Sequence, residues 1–185
     1  EGWASGAQGT ILHTIQGGAT WQVQYKHPDE QFSAIYFPQP KKGFAVSWTG
    51  KIFSTTDSGQ HWTETAHPIK AWLWDVHFPD PQTGFVVGNL GSILQTRNGG
   101  KEWKVLRKDD SAGPLLGVHF ANAKVGWAVG WDGVILNTTD GGLHWDSQKS
   151  GTREPLEDVT FVSTNQGWAV GRGGLILHTT DGGMT

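Results

Sequence analysis

The 185-residue chain has no cysteine, which excludes disulfide staples, thiolate metal sites and a cysteine nucleophile. It has one methionine, strong helix formers are scarce, and apolar residues nowhere recur at helical spacing over a long stretch, so helices are not expected to build the fold. No apolar run approaches the roughly 20 residues that span a bilayer. Charge of one sign is also lacking. Lysine and arginine number 14 against 17 acidic residues, interspersed, for a net charge of −3. No basic stripe is left to follow a phosphate backbone, so nucleic acid is not expected as a partner.

What the chain does contain is glycine, at 27 residues, and tryptophan, at 11, a balance that favours many short strands joined by tight turns. The chain also repeats itself. A Gly-aromatic pair recurs at Gly2-Trp3, Gly43-Phe44, Gly84-Phe85, Gly126-Trp127 and Gly167-Trp168, in steps of 41, 41, 42 and 41 residues. Each is followed by an apolar pair such as Ile52-Phe53 or Ile135-Leu136, then by a turn such as Thr56-Asp57-Ser58-Gly59 or Thr139-Asp140-Gly141-Gly142, then by Trp21, Trp62, Trp103 or Trp145. Before each pair from the second onward lies a segment of period-two alternation: Ile35-Tyr36-Phe37, Val76-His77-Phe78, Val118-His119-Phe120 and Val159-Thr160-Phe161.

Each unit therefore reads as four antiparallel strands, A to D from first to last. Such a unit at this period is the sequence form of a β-propeller blade. The expected fold is an all-β propeller with Asp-box turns between strands C and D, as one array: a partial blade at 1–33, blades at 34–72, 73–114 and 115–155, and a partial blade at 156–185. The first unit has strands B to D and the last has A to C. An excerpt of a larger ring, or a ring closed by pairing of open edges between copies, would account for that.

In the C–D turns an acceptor oxygen can bind backbone N–H groups one or two residues on while the next glycine takes a positive φ. Gln16, Asp57, Asn98, Asp140 and Asp181 share the position, which calls for an acceptor rather than a charge. They are read as scaffold, because successive blades hold them apart and a calcium loop needs several oxygens in one turn.

Seven tryptophans fall on repeat positions and are assigned to packing. The other four are Trp48 and Trp131 in B–C turns, where sister units carry Ala7, Asn89 and Arg172, and Trp72 and Trp74 just before strand A. These connections open on one face, opposite the C–D turns. Trp48, Trp72, Trp74 and Trp131, with Arg153 and Arg172 in the same kinds of loop, form the candidate binding surface. Arg107, Lys108 and Lys70 occupy similar loops. Tyr36, His77 and His119 share a place in strand A, facing either the channel or the core. Two histidines without a third ligand are a poor metal site, and no cofactor or metal is expected. Catalysis is not expected either. The four arginines include Arg97 in a C–D turn, on the wrong face for a sialidase clamp, and Asp75, Asp132, Glu157 and Asp158 read as loop charges rather than a glycosidase pair.

The run Gly-Trp-Ala-Val-Gly at Gly126 to Gly130, continued by Ile135-Leu136 and Thr138-Thr139-Asp140-Gly141-Gly142 to Trp145, resembles the photosystem II stability and assembly factor family of Asp-box propellers. The resemblance implies a seven-bladed ring on the periplasmic or thylakoid-lumenal side of a membrane, with the export signal outside these residues. It implies a non-catalytic role in binding a membrane-protein precursor. A carbohydrate-binding or sialidase-like glycoside hydrolase propeller is the alternative within the same superfamily.

Overall fold

The computed structural model describes residues 1–184. Among them lie eighteen strands: β1 (Gly2–Gly6), β2 (Thr10–Thr14), β3 (Gln22–Lys26), β4 (Phe32–Gln39), β5 (Lys42–Ser47), β6 (Ile52–Thr55), β7 (Thr63–Thr65), β8 (Leu73–His77), β9 (Gly84–Gly88), β10 (Ser92–Thr96), β11 (Lys104–Arg107), β12 (Leu115–Phe120), β13 (Gly126–Gly130), β14 (Ile135–Thr138), β15 (Asp146–Gln148), β16 (Leu156–Phe161), β17 (Gly167–Gly171) and β18 (Ile176–Thr179). They form five antiparallel meanders of three, four, four, four and three strands, each in sequence order. This is a propeller array of three complete blades flanked by two partial ones. The only helical turns among the described residues are single 3-10 turns at Trp131–Gly133 and Arg172–Gly174, and no helix is long and apolar enough to cross a membrane.

One aromatic lock repeats between neighbouring blades. The strand-B ring of each blade stacks on the strand-A phenylalanine of the next, with centroids 3.7 Å apart for Trp3–Phe37, 4.4 Å for Phe44–Phe78, 3.8 Å for Phe85–Phe120 and 3.4 Å for Trp127–Phe161. Trp62, Trp103 and Trp145 meet Phe37, Phe78 and Phe120 edge-on, so each phenylalanine has one face and one edge occupied. Its other face lies over a strand-B glycine of its own blade. A Cβ at Gly43, Gly84, Gly126 or Gly167 would fall 2.4–2.5 Å from that ring, which explains the glycine of every Gly-aromatic pair after the first. Each late tryptophan leans toward the preceding blade. Trp21, which the repeat assigns to packing, is accordingly 44% exposed, because no blade precedes β1–β3 in the structure.

The C–D turns add a polar clasp. Thr55, Thr96, Thr138 and Thr179 accept the backbone N–H of Gly59, Gly100, Gly142 and Gly183 at 2.8–3.0 Å. Their hydroxyls donate to Asp57, Asn98, Asp140 and Asp181 at 2.8–3.0 Å. The same acceptor oxygen reaches the N–H of His61, Glu102 and His144, four residues on rather than the expected one or two, because the loop wraps a full turn around the side chain. The N–H of His61 and of His144, followed by their rings, holds the Asp57 and Asp140 carboxyls down at about 2. Each turn in turn clasps the blade before it: the indole N–H of Trp3 donates to Ser58 O and that of Trp127 to Gly182 O.

Candidate functional site

Strand A of each blade is innermost and one of its edges has no sheet partner, so its backbone groups need other partners. Side chains of the preceding blade supply them. The Ser33 hydroxyl donates to Leu73 O at 2.7 Å and Tyr36 to Phe78 O at 3.2 Å; Asp75 accepts from Val118 N at 2.9 Å and His77 Nδ1 from Phe120 N at 3.3 Å; His119 Nε2 lies 3.0 Å from Phe161 O. The rings of Tyr36, His77 and His119 run side by side, 5.0 and 4.6 Å apart. Tyr36, His77 and His119 thus face the neighbouring inner strand and stitch blades together around the axis. Among the described residues no three His, Cys, Asp or Glu gather in a way that could hold a metal.

Burial, then the neighbouring His119, pushes the His77 imidazole down to about 3. The unfolded chain takes up that proton near pH 6.5, so stability falls on acidification below 6.5 by about 1.4 kcal/mol per pH unit. Asp75 acts in the opposite sense. Burial, with some help from Asp158, lifts its carboxyl to about 6 against the two N–H donors that lower it. The folded chain then protonates Asp75 before the unfolded one does, and acidification from pH 6 toward 4 adds stability. His77→Gln keeps an acceptor for Phe120 N and removes only the first effect. Urea unfolding at pH 6.5 and about pH 5 is expected to show the variant gaining roughly 2 kcal/mol over the wild type across that interval.

The B–C turns and D–A connections carry the other candidates. In every blade from the second on, the first turn residue after strand B donates its N–H to the residue before strand A of the same blade: Trp48 to Gln31, Asn89 to Trp72, Trp131 to Pro114 and Arg172 to Pro155, at 2.8–3.1 Å. Two residues with positive φ follow in most turns, at Leu90-Gly91, Asp132-Gly133 and Gly173-Gly174. In the second blade only Gly50 has one, and a Cβ there would sit 2.5 Å from Ala71 O. That close approach brings the turn bearing Trp48 against the connection bearing Trp72.

Trp48, Trp72 and Trp74 consequently meet. Trp48 and Trp72 are near-parallel with centroids 6.2 Å apart, and Trp74 closes the cluster at 5.5 and 6.1 Å, inclined at 56° and 70°. Trp74 lies within β8 rather than before it. It occupies a bulge where the register shifts between Leu73 and Asp75, and this directs its ring to the loop face. Trp48 and Trp72 are 39% and 52% exposed, and no hydrogen bond of their indole N–H groups is present among the described residues. Trp131 stands apart, two blades on, 44% exposed with the Arg172 guanidinium 5.8 Å over its ring; Arg172 also pairs with Glu157 at 2.7 Å. Arg153 is in neither group. It borders a shallow groove with Asp132, Lys149 and Thr152.

Two residues of this face were not singled out from sequence, Glu30 and Asn89. Glu30 is buried, accepts from the Thr49 hydroxyl and pairs with Lys51 at 3.0 Å. Burial alone would raise its carboxyl, but the hydrogen bonds of Thr49, Lys51 and Ser47 outweigh it and hold the group below its ordinary value. Glu30 thus fixes the turn next to Trp48.

No protein of curated function matches the chain in sequence. Among solved structures it is similar to a YCF48 bound to a D1 peptide (TM-score 0.68, 20% identity, covering 99% of this chain and 75% of that one) and to YCF48 from Cyanidioschyzon merolae (TM-score 0.53, 19% identity, 99% and 79%). It is also similar to a GH74 enzyme of Niastella koreensis (TM-score 0.77, 13% identity), covering 95% of this chain but only 33% of the enzyme. At these identities the likeness establishes the propeller fold. The sequence model of photosynthesis system II assembly factor YCF48 matches residues 58–114 and 109–185, and the chain belongs to that family.

Proposed function

We propose that this chain is a non-catalytic propeller that holds a polypeptide segment of a membrane-protein assembly intermediate, on the extracytoplasmic side of a membrane. Family membership supports the class, and the similar protein solved with a D1 peptide supplies a probe. The observation that carries the location is the convergence of Trp48, Trp72 and Trp74 from two blades into one exposed aromatic cluster. The exposed indoles of Trp48 and Trp72, with free N–H donors, suit an extended peptide, whose carbonyls need donors and whose apolar side chains need flat contact area. Trp131 with Arg172, and Arg153 beyond, extend the surface and offer cations to acidic side chains. The C–D turn residues Asp57, Asn98, Asp140 and Asp181 are scaffold in this reading, and no cofactor takes part.

Three of the four carboxylates considered for a glycosidase are engaged otherwise, which supports the non-catalytic reading. Asp75 and Asp158 accept backbone N–H groups, and Glu157 is paired to Arg172. Joint substitution Trp48→Ala and Trp72→Ala is expected to weaken binding of the D1 peptide by about 30-fold or more, read by calorimetry at a temperature where the variant remains folded. Unchanged affinity would remove the aromatic cluster from the binding face. Selective retention of the wild type on a xyloglucan or sialoglycan array, lost in the variant, would transfer the cluster to carbohydrate.

A further inference from the structure

Asn89 occupies the turn position held by Trp48, Trp131 and Arg172 in the other blades, yet it offers neither a ring nor a charge to the loop face. It grips the aromatic cluster instead. Its backbone N–H donates to Trp72 O at 2.8 Å, and its side-chain Oδ1 accepts the Trp74 indole N–H at 2.7 Å. One residue thus ties down the main chain of one indole and the ring of another. The preceding Gly88 leaves no slack, since a Cβ there would lie 2.2 Å from Trp72 O. The two held residues flank Leu73, which is fully buried and anchors the same strand from the core side.

We infer that Asn89 is a positioning residue for the Trp72–Trp74 pair, setting the angle at which the cluster receives its ligand; the inference rests on the binding reading above. Trp74 sits in a strand bulge, where no ladder partner constrains its side chain; its ring leans on Trp48 and Trp72, and its indole N–H has one hydrogen-bond partner, Asn89. Without that bond the indole N–H has only water to turn to, and the ring is held by its contacts with Trp48 and Trp72 alone. A ligand would then have to order the ring on binding, which weakens affinity without removing any contact atom. The sister position in the next blade shows the contrast. There Trp131 itself fills the turn, and Pro114 and Leu116 stand where Trp72 and Trp74 do, so no comparable cluster forms.

The test uses Asn89→Leu, which keeps the shape and the backbone N–H but lacks the acceptor, and Asn89→Asp, which restores an acceptor oxygen. Proton–nitrogen NMR of the indole groups in the ligand-free chain reads the positioning. Exchange of the Trp74 N–H with solvent is expected to speed up by about tenfold in Asn89→Leu and to return toward the wild-type rate in Asn89→Asp. Affinity for the D1 peptide should fall by about tenfold in the first variant and recover in the second. Should Asn89→Leu fail to fold, Asn89→Ala serves in its place. Unchanged exchange of the Trp74 N–H in a folded variant overturns the inference. Faster exchange with unchanged peptide affinity upholds the positioning role and overturns instead the assignment of the cluster to the peptide-binding face.

Discussion

Trp127→Ala is expected to cost about 3–5 kcal/mol, enough to unfold much of the chain at moderate temperature. The ring is 1% exposed, lies parallel to Phe161 with centroids 3.4 Å apart, and donates its N–H to Gly182 O. Removal empties an indole-sized space between the fourth and fifth blades and breaks the clasp from the following C–D turn in the same step. Neighbouring inner strands, joined by His119 to Phe161 O, limit how far the blades can close over the gap. Trp48→Ala is the informative control. It removes the same side chain from a turn where 39% of it is exposed and should cost less, because part of that surface is never withdrawn from water and no indole hydrogen bond among the described residues is lost. Urea unfolding of the two variants at pH 7 compares them directly, and equal losses would remove the aromatic lock as the main inter-blade contact.

Gly100→Ala ranks next, at about 2–5 kcal/mol. Two effects add there. The residue has a φ of +81°, a left-handed conformation that costs an L side chain roughly 1–2 kcal/mol. A Cβ would also fall 2.2 Å from the ring of Phe44, which is fully buried and stacked on Phe78, so relief requires moving a packed aromatic, for about 1–3 kcal/mol more. Gly17 separates the two contributions, since it has a φ of +64° and nothing within 4 Å of its Cβ position. Gly17→Ala should show only the backbone cost. A thermal midpoint for Gly100→Ala no lower than that of Gly17→Ala would mean that the turn does not press on the preceding blade.

The difference between those glycines was partly legible in the sequence. Every C–D turn carries glycine at the second position, including Gly59 where Ser58 replaces the first, so the second is the one that tolerates nothing else. The meander order and the three complete blades likewise followed from period and alternation. These features depend on contacts that every unit makes in the same way, and repetition averages out the noise of any single copy. What escaped the sequence was whatever one blade does differently. The caps along the inner strands join Ser33 to Leu73 and Asp75 to Val118, unlike groups at positions that do not correspond in the repeat, where sister units carry Trp74 and Ala34, leaving no pattern to find. Glu30 reads as a loop charge until its burial beneath Thr49 and Lys51 is seen.

The candidate face was legible by subtraction and no further. Of the tryptophans left over after the repeat was assigned, three converge and one stands apart. The turn-to-connection approach at Gly50 recurs at Gly133, so the difference lies in the connection: Trp72 and Trp74 follow the Trp48 turn, whereas Pro155 and Glu157 occupy those places beside Trp131. Asn89 shared a register with Trp48, Trp131 and Arg172 and could have been marked as the odd member of that set. Its partner, the indole of Trp74, could not, because the bulge that turns that ring outward is a property of the strand pairing.

The interlock of ring, phenylalanine and clasping turn always runs from one unit to its successor, with the same parts in the same order. Such a joint specifies how two modules meet and is indifferent to how many are joined. Duplicating a whole module at equivalent points, or permuting the chain at a D–A connection, should leave every joint intact, whereas a cut through a module severs two. Copying at the gene level therefore has a permissive frame set by the period of the joint, and the length of the array is free to drift while its cross-section stays fixed.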